Sequence, residues 1–158
     1  MPRHTWIDSA LLEHVSGLAA ASPRRRKNFN FHLSEEDAAH RLLNAIEPDS
    51  YIPPHRHLDP TKDETLVVVR GRLGAVVFDE TGSVADTAVL DPHGARVGIN
   101  VLHGTYHSVL ALEPGTVFFE AKAGPFRPIG PAEQAPWAPM EGAREAQAYL
   151  SALRKLFD

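Results

Sequence analysis

The sequence contains no cysteine. Disulfide frameworks, cysteine-ligated zinc sites and thiol nucleophiles are therefore excluded. Nor does it carry a basic excess: 16 Lys and Arg stand against 20 Asp and Glu, for a net charge of −4. The one basic run, Arg24-Arg25-Arg26-Lys27, is too short for a nucleic-acid footprint, so no nucleic-acid partner is expected. Long apolar runs are missing too, none approaching the roughly 18 residues of a membrane span, and no membrane partner is expected. Asp8 and Glu13 fall where a signal peptide needs a continuous apolar core, so the expectation is a cytoplasmic protein. What is present is ordinary for one globular domain: 158 residues, 43% hydrophobic and 23% charged, which argues against a disordered chain. Nine histidines remain, and imidazole is the commonest metal ligand open to such a chain.

The pattern of apolar residues divides the chain into three parts. Over residues 8–21, Leu11, Leu12, Val15 and Leu18 recur at helical spacing, with Asp8 or Ser9 as cap and Ser22-Pro23 as stop. From Lys27 the period becomes two, with Phe29, Phe31 and Leu33 alternating with Asn28, Asn30 and His32. Strand signals then recur, at 41–46, 64–70, 73–78, 84–90, 96–102, 107–112 and 116–122. Turn chemistry such as Asp79-Glu80-Thr81-Gly82 and Glu113-Pro114-Gly115 separates them. Many short strands without intervening helices predict a mainly β sandwich or barrel, with its core over about 27–123. A proline-rich stretch crosses the surface from Gly124 to Pro139. A last helix is expected over about 141–157, its Ala146, Tyr149, Leu150 and Leu153 forming a stripe that covers the core or a dimer contact. No repeat and no second domain are visible.

The segment richest in chemistry runs from Tyr51 through Pro53-Pro54-His55-Arg56-His57 to Glu64 and Gly71. On a strand, side chains at i and i+2 share a face, so His55 and His57 would point the same way, about 7 Å apart along the chain. A curved strand lets both converge on one ion. Glu64 opens the next strand and can return a carboxylate to the same place. A fourth donor must come from a distant strand, and His107, which follows Gly104-Thr105-Tyr106, qualifies. His103 reads as turn surface, while His4, His14, His40 and His93 have no partner pattern and read as exposed.

Asp49 lies six residues before His55, Glu64 seven after His57, and Gly71 seven after Glu64. This spacing resembles the first motif of the cupin superfamily, a glycine, a His-x-His pair, a glutamate and a second glycine. Asp49 replaces the leading glycine, and six residues separate His57 from Glu64 where the motif has three or four. Asp59 is therefore the alternative carboxylate. The second motif resembles Gly98 onward, with Gly104-Thr105-Tyr106-His107 for its proline-glycine-x-x-histidine and Ala111 in place of its asparagine. Three longer segments, Arg24 to His32, Pro54 to His57 and Glu120 to Pro125, look like the WbuC family of cupin-fold metalloproteins, which occur in bacterial O-antigen gene contexts. The resemblance spans about residues 6 to 150. It implies a cupin-type double-stranded β-helix (jelly-roll) barrel, one bound divalent metal ion and a homodimer, and it implies no particular reaction.

Strand phase nominates further pocket residues. Glu120 and Lys122 share one face, opposite Phe119 and Ala121, and two such charges inside a barrel must be paired or engaged with ligand. Arg26, Asn28, Asn30, His32 and Tyr51 are the other substrate-binding candidates, an arginine fork being suited to a carboxylate or phosphate group. Glu120, Lys122, Tyr51 and His32 are candidates for a general base. Three histidines and a carboxylate suit Fe, Mn, Ni or Zn alike and leave a position open on a six-coordinate ion. The leading expectation is a metal-dependent enzyme of a small polar, sugar-derived substrate, isomerase- or epimerase-like. The alternatives are a non-catalytic, metal-assisted binding module and an Fe(II) dioxygenase.

Overall fold

The computed structural model describes residues 1–158. Alternating sequences build eight strands: β1 (Arg26–Asn30), β2 (Ala39–Ile46), β3 (Glu64–Arg70), β4 (Leu73–Phe78), β5 (Val84–Leu90), β6 (Gly98–Val101), β7 (His107–Ala111) and β8 (Thr116–Ala123). They pair antiparallel in two sheets, ordered β1-β2-β8-β3-β6 and β5-β4-β7. Helix α1 (Ser9–Ala21) precedes them and α2 (Ala146–Arg154) follows, ending in a short 3₁₀ turn, Lys155–Phe157. The fold is mainly β, a jelly roll flanked by two helices. No helix is long and apolar enough to cross a membrane.

Each sheet carries apolar residues on both faces, and the period of two sorts them into layers. Between the sheets lie Leu66 and Val68 of β3, Leu73 and Ala75 of β4, Val109 and Ala111 of β7, and Phe118 of β8. The opposite phase of the long sheet, Leu43, Ala45 and Val117, packs with Phe29 and Phe31 against Val15 and Ala19 of α1. The opposite phase of the short sheet, Val76, Phe78 and Leu110, is covered by Leu150 and Leu153 of α2. The stripe on α2 is thus core cover. Asp8 caps α1, its side chain accepting from the Leu11 N–H at 3.0 Å.

Three boundaries differ from the sequence reading. β1 stops at Asn30 because the Leu33 and Ser34 amides turn to Asp37 Oδ2. β6 is confined to four residues. The last helix starts at Ala146 rather than near Glu141, since Gly142 takes a left-handed φ of 80° that no helix accommodates, and Glu141 is drawn to Arg24 and Arg26.

One consequence of strand phase positions the site. The inter-sheet face that is apolar at one end of the barrel continues at the other as Glu64 on β3, His107 on β7, and Glu120 and Lys122 on β8. Register aligns them further, with Glu64 opposite Lys122 and Lys122 opposite His40.

Candidate metal centre and substrate cleft

His55 and His57 do not lie on a strand, contrary to the sequence reading. Pro53 and Pro54 lack the N–H that a ladder needs, and the segment is extended but pinned at single points. His55 exchanges both backbone hydrogen bonds with His107 (3.1 and 3.0 Å) and bridges Gln134 on its other side. The Gly104 N–H donates to the His57 carbonyl. The two rings thereby reach the polar end of the barrel without regular pairing.

There the four sequence-nominated residues meet. One donor atom from each of His55, His57, Glu64 and His107 lies within 4.8 Å of the other three. His57, Glu64 and His107 are buried and His55 nearly so. Their hydrogen bonds orient them. His55 Nδ1 donates to the Pro53 carbonyl and His107 Nδ1 to the Thr105 carbonyl, each at 2.9 Å, which turns both Nε2 atoms toward the centre. His107 Nε2 donates to Glu64 Oε1 at 2.6 Å. His57 Nε2 lies 3.2 Å from Glu64 Oε2, yet it is buried without a hydrogen-bond partner.

An orphaned, buried imidazole nitrogen beside a buried carboxylate is what a metal-ligating set looks like when only protein atoms are counted. The residues fit a divalent cation. Asp59 is not among them. It is exposed and closes a turn, accepting from the Thr61 N–H and Oγ1, so Glu64 is the carboxylate that stands with the three histidines.

The electrostatics agree. Burial alone would raise the Glu64 pKa, but His107, His57 and Lys122 outweigh it and hold the carboxyl well below the usual range. Burial would depress His107, and the bond to Glu64 overrides it, so its pKa is raised. His55 is pushed down to about 4 by burial and by the neighbouring His107. Lys122 stays an ammonium, its desolvation more than offset by Glu120 and Glu64, at 3.5 and 3.4 Å. Burial raises Glu120, and Lys122 offsets this only in part.

Of the cavities that touch this cluster, two share a wall. The inner one, about 130 Å³, has His55, Glu64 and His107 on its wall and Leu66, Val109 and Phe118 on its floor. The outer cleft, about 360 Å³, runs over β1, β2 and β8. Arg26, Asn44, Glu120 and Lys122 line both cavities, and His57 lines the outer one. Asn28, Asn30 and His32 also line the outer cleft, while Phe29 and Phe31 face α1.

Two sequence readings are corrected here. Tyr51 is not a pocket residue: it is buried beneath α2 and its hydroxyl donates to the Pro139 carbonyl at 2.7 Å. His40 is not exposed: it is 6% accessible, stacks on His32 with ring centroids 3.9 Å apart, and lines the outer cleft. Its signal was its phase with Leu42 and Asn44 on β2. His103 does lie at the surface, paired with Asp63 at 2.7 Å.

Two antiparallel sheets with a His-x-His pair, a glutamate and a distant histidine gathered at one end make a cupin-type jelly roll with a group that could hold a metal ion. The chain belongs to the family described as a domain of unknown function, DUF6016, whose model matches residues 7–90. Among solved structures it is similar to KdgF from Halomonas sp., at 18% identity and a TM-score of 0.52 over 78% of this chain and 90% of that one. A conserved protein of unknown function from Streptococcus pyogenes, SPY1581, matches at 9% identity and 0.52 over 80% and 93%. Protein SO0799 from Shewanella oneidensis matches at 16% and 0.52 over 63% and 68%. At these identities the likeness is one of fold. No curated protein matches the chain.

Proposed function

We propose that this protein is a metal-dependent enzyme acting on a small polar substrate, with His55, His57, Glu64 and His107 holding one divalent ion. The observation that carries the reading is the meeting of four donor atoms within 4.8 Å at the foot of an open polar cleft. A structural staple would be closed off. A divalent ion held there would act as a Lewis acid toward a substrate carbonyl or hydroxyl.

The remaining roles fall to side chains around the ligands. Glu120 supports an enzyme over a passive binding module. Its carboxyl is half-buried, its pKa is raised, and it faces both cavities. A carboxyl with a raised pKa, set between metal centre and cleft, is placed to exchange a proton with substrate. Lys122 bridges Glu120 and Glu64 and so sets a cation between the cleft carboxyl and the ligating one. Asn44 donates to Glu120 Oε1 at 3.4 Å and orients it. The resemblance to the WbuC family supports a sugar-derived substrate and a homodimer.

Elemental analysis of protein purified without added metal tests the reading. About one equivalent of Fe, Mn, Ni or Zn is expected in the wild type, falling at least tenfold in the double variant His55→Ala, His57→Ala. Metal-free wild type, or full occupancy in the variant, overturns it. Thermal-shift screening of the loaded protein against sugar phosphates, nucleotide sugars and hydroxy acids then addresses the substrate.

A further inference from the structure

Lys62 has no role in the metal centre, yet it is the least expected residue in the outer cleft. It is 8% accessible, and no carboxylate lies within ion-pairing distance of it. Its Nζ donates to the carbonyls of Ala123 (3.0 Å) and Pro125 (2.6 Å). An ammonium has three donors, so one N–H and the whole positive charge are unmatched in a largely desolvated place. Burying a charge without a counter-ion is costly. The cleft it lines is where that counter-ion can enter.

The surroundings repeat the pattern. His32 Nδ1 lies 3.2 Å from both the N–H and the carbonyl of Arg41, and when it accepts from that N–H the ring proton is on Nε2. That donor has no partner in the protein. His40 holds His32 by stacking, and its own Nε2 is tied to the Glu35 carbonyl. Gly124, between the two carbonyls that grip Lys62, lies so close to this stack that a Cβ would sit 1.8 Å from the Asp37 oxygen and 2.6 Å from the His40 ring. The wall is built to hold these groups in place. Six cationic side chains line the cleft (Arg24, Arg26, Lys27, Lys62, Lys122, Arg127) against two carboxylates, Glu35 and Glu120. Arg24 and Arg26 are matched by Glu141, Arg127 by Glu36, and Lys122 by Glu120 and Glu64. Lys27 and Lys62 have no match.

We propose that the outer cleft is an anion subsite, with Lys62 as its charge anchor and the His32 Nε2–H as a second donor, which takes the carboxylate or phosphate group of the substrate. The substrate is then an acid or a phosphate ester, bound by its anionic end about Lys62 while its other end reaches the inner cavity. That second clause rests on the metal-enzyme reading, and the subsite itself does not.

Isothermal titration calorimetry with inorganic phosphate and with malonate, on metal-loaded and chelator-stripped protein, tests it. Binding of at least one of the two is expected in both forms, and their ratio distinguishes a phosphate from a carboxylate site. Lys62→Gln, which still donates to carbonyls but carries no charge, is expected to weaken binding at least about tenfold without loss of metal content. His32→Phe keeps the stack on His40, removes the donor and leaves Lys62 in place. About a threefold to tenfold loss is expected, which covers the case in which Lys62→Gln fails to fold. No binding by the wild type overturns the proposal, as does binding unchanged in both variants. So does binding that requires the metal and ignores Lys62. A wild type that holds no metal yet loses anion affinity with Lys62→Gln removes the enzyme reading and leaves the subsite standing.

Discussion

Acidifying the metal-free protein should destabilise it through His55, and the size of the effect can be worked out. Burial and the adjacent His107 hold the His55 pKa near 4, against an ordinary value of 6.5. That displacement is worth about 3 kcal/mol in favour of the neutral ring. Below 6.5 the unfolded chain binds a proton on this ring that the folded chain refuses until about pH 4. Stability therefore falls as pH falls through that window and levels off beneath it. His107 works with the opposite sign: its raised pKa contributes stability at low pH that is lost as pH rises through its folded value. The two must be separated by mutation. Urea unfolding of chelator-stripped wild type and His55→Gln, at intervals from pH 7 to 4, provides the comparison. The wild type should lose about 3 kcal/mol more than the variant across the window. Parallel curves would refute the reasoning, because they would mean that His55 takes up its proton equally in both states.

Further predictions concern the site and its frame. Glu64→Gln should lower metal affinity about 10- to 100-fold while Asp59→Ala leaves it unchanged, as read by competition with a chromogenic chelator. Tyr51→Phe should cost about 1 kcal/mol of stability through the lost bond to the Pro139 carbonyl, with metal content unaltered, which denaturation and elemental analysis together would register. Gly124→Ala should destabilise by about 1–3 kcal/mol from overpacking against the Asp37 carbonyl and the His40 ring, visible as a lowered Tm.

Where chain alternation met a buried face on one side and a turn at each end, the sequence was legible to the residue. β3, β4 and β5 run over the spans that the Glu64, Leu73 and Val84 patterns predict, the first two because apolar side chains that must face a sheet interior set their registers, the mostly exposed β5 because a turn bounds each end. His107 and Glu64 were legible for the same reason. The His55–His57 segment was not, because its conformation is dictated by two prolines and by single contacts to β7 and the proline-rich stretch, which only the closed barrel supplies. Tyr51 and His40 exchanged places for a related reason. A tyrosine beside a histidine motif invites a site role, yet α2 arrives from about a hundred residues further on to bury it. A histidine without sequence neighbours of its kind looks incidental until the turn after β1 brings His32 onto its face. Lys62 left no signal at all, since a buried lysine in a loop of Asp59, Thr61 and Asp63 reads as solvated charge.

Glu141 binds Arg24 through both carboxylate oxygens and Arg26 through one, each contact at 2.8 Å, and these arginines stand at the lip of the outer cleft. The carboxylate is, in effect, a resident competitor. An incoming anion recruits Arg24 or Arg26 only by exchange with a negative charge already in place, whereas Lys62 deeper in the wall is free to accept it. The mouth of the cleft thereby holds two arginines that share one carboxylate, while Lys62 in the wall keeps its whole charge. A ligand that reaches Lys62 meets a charge with no resident competitor, and added salt should loosen the entrance before it weakens the anchor.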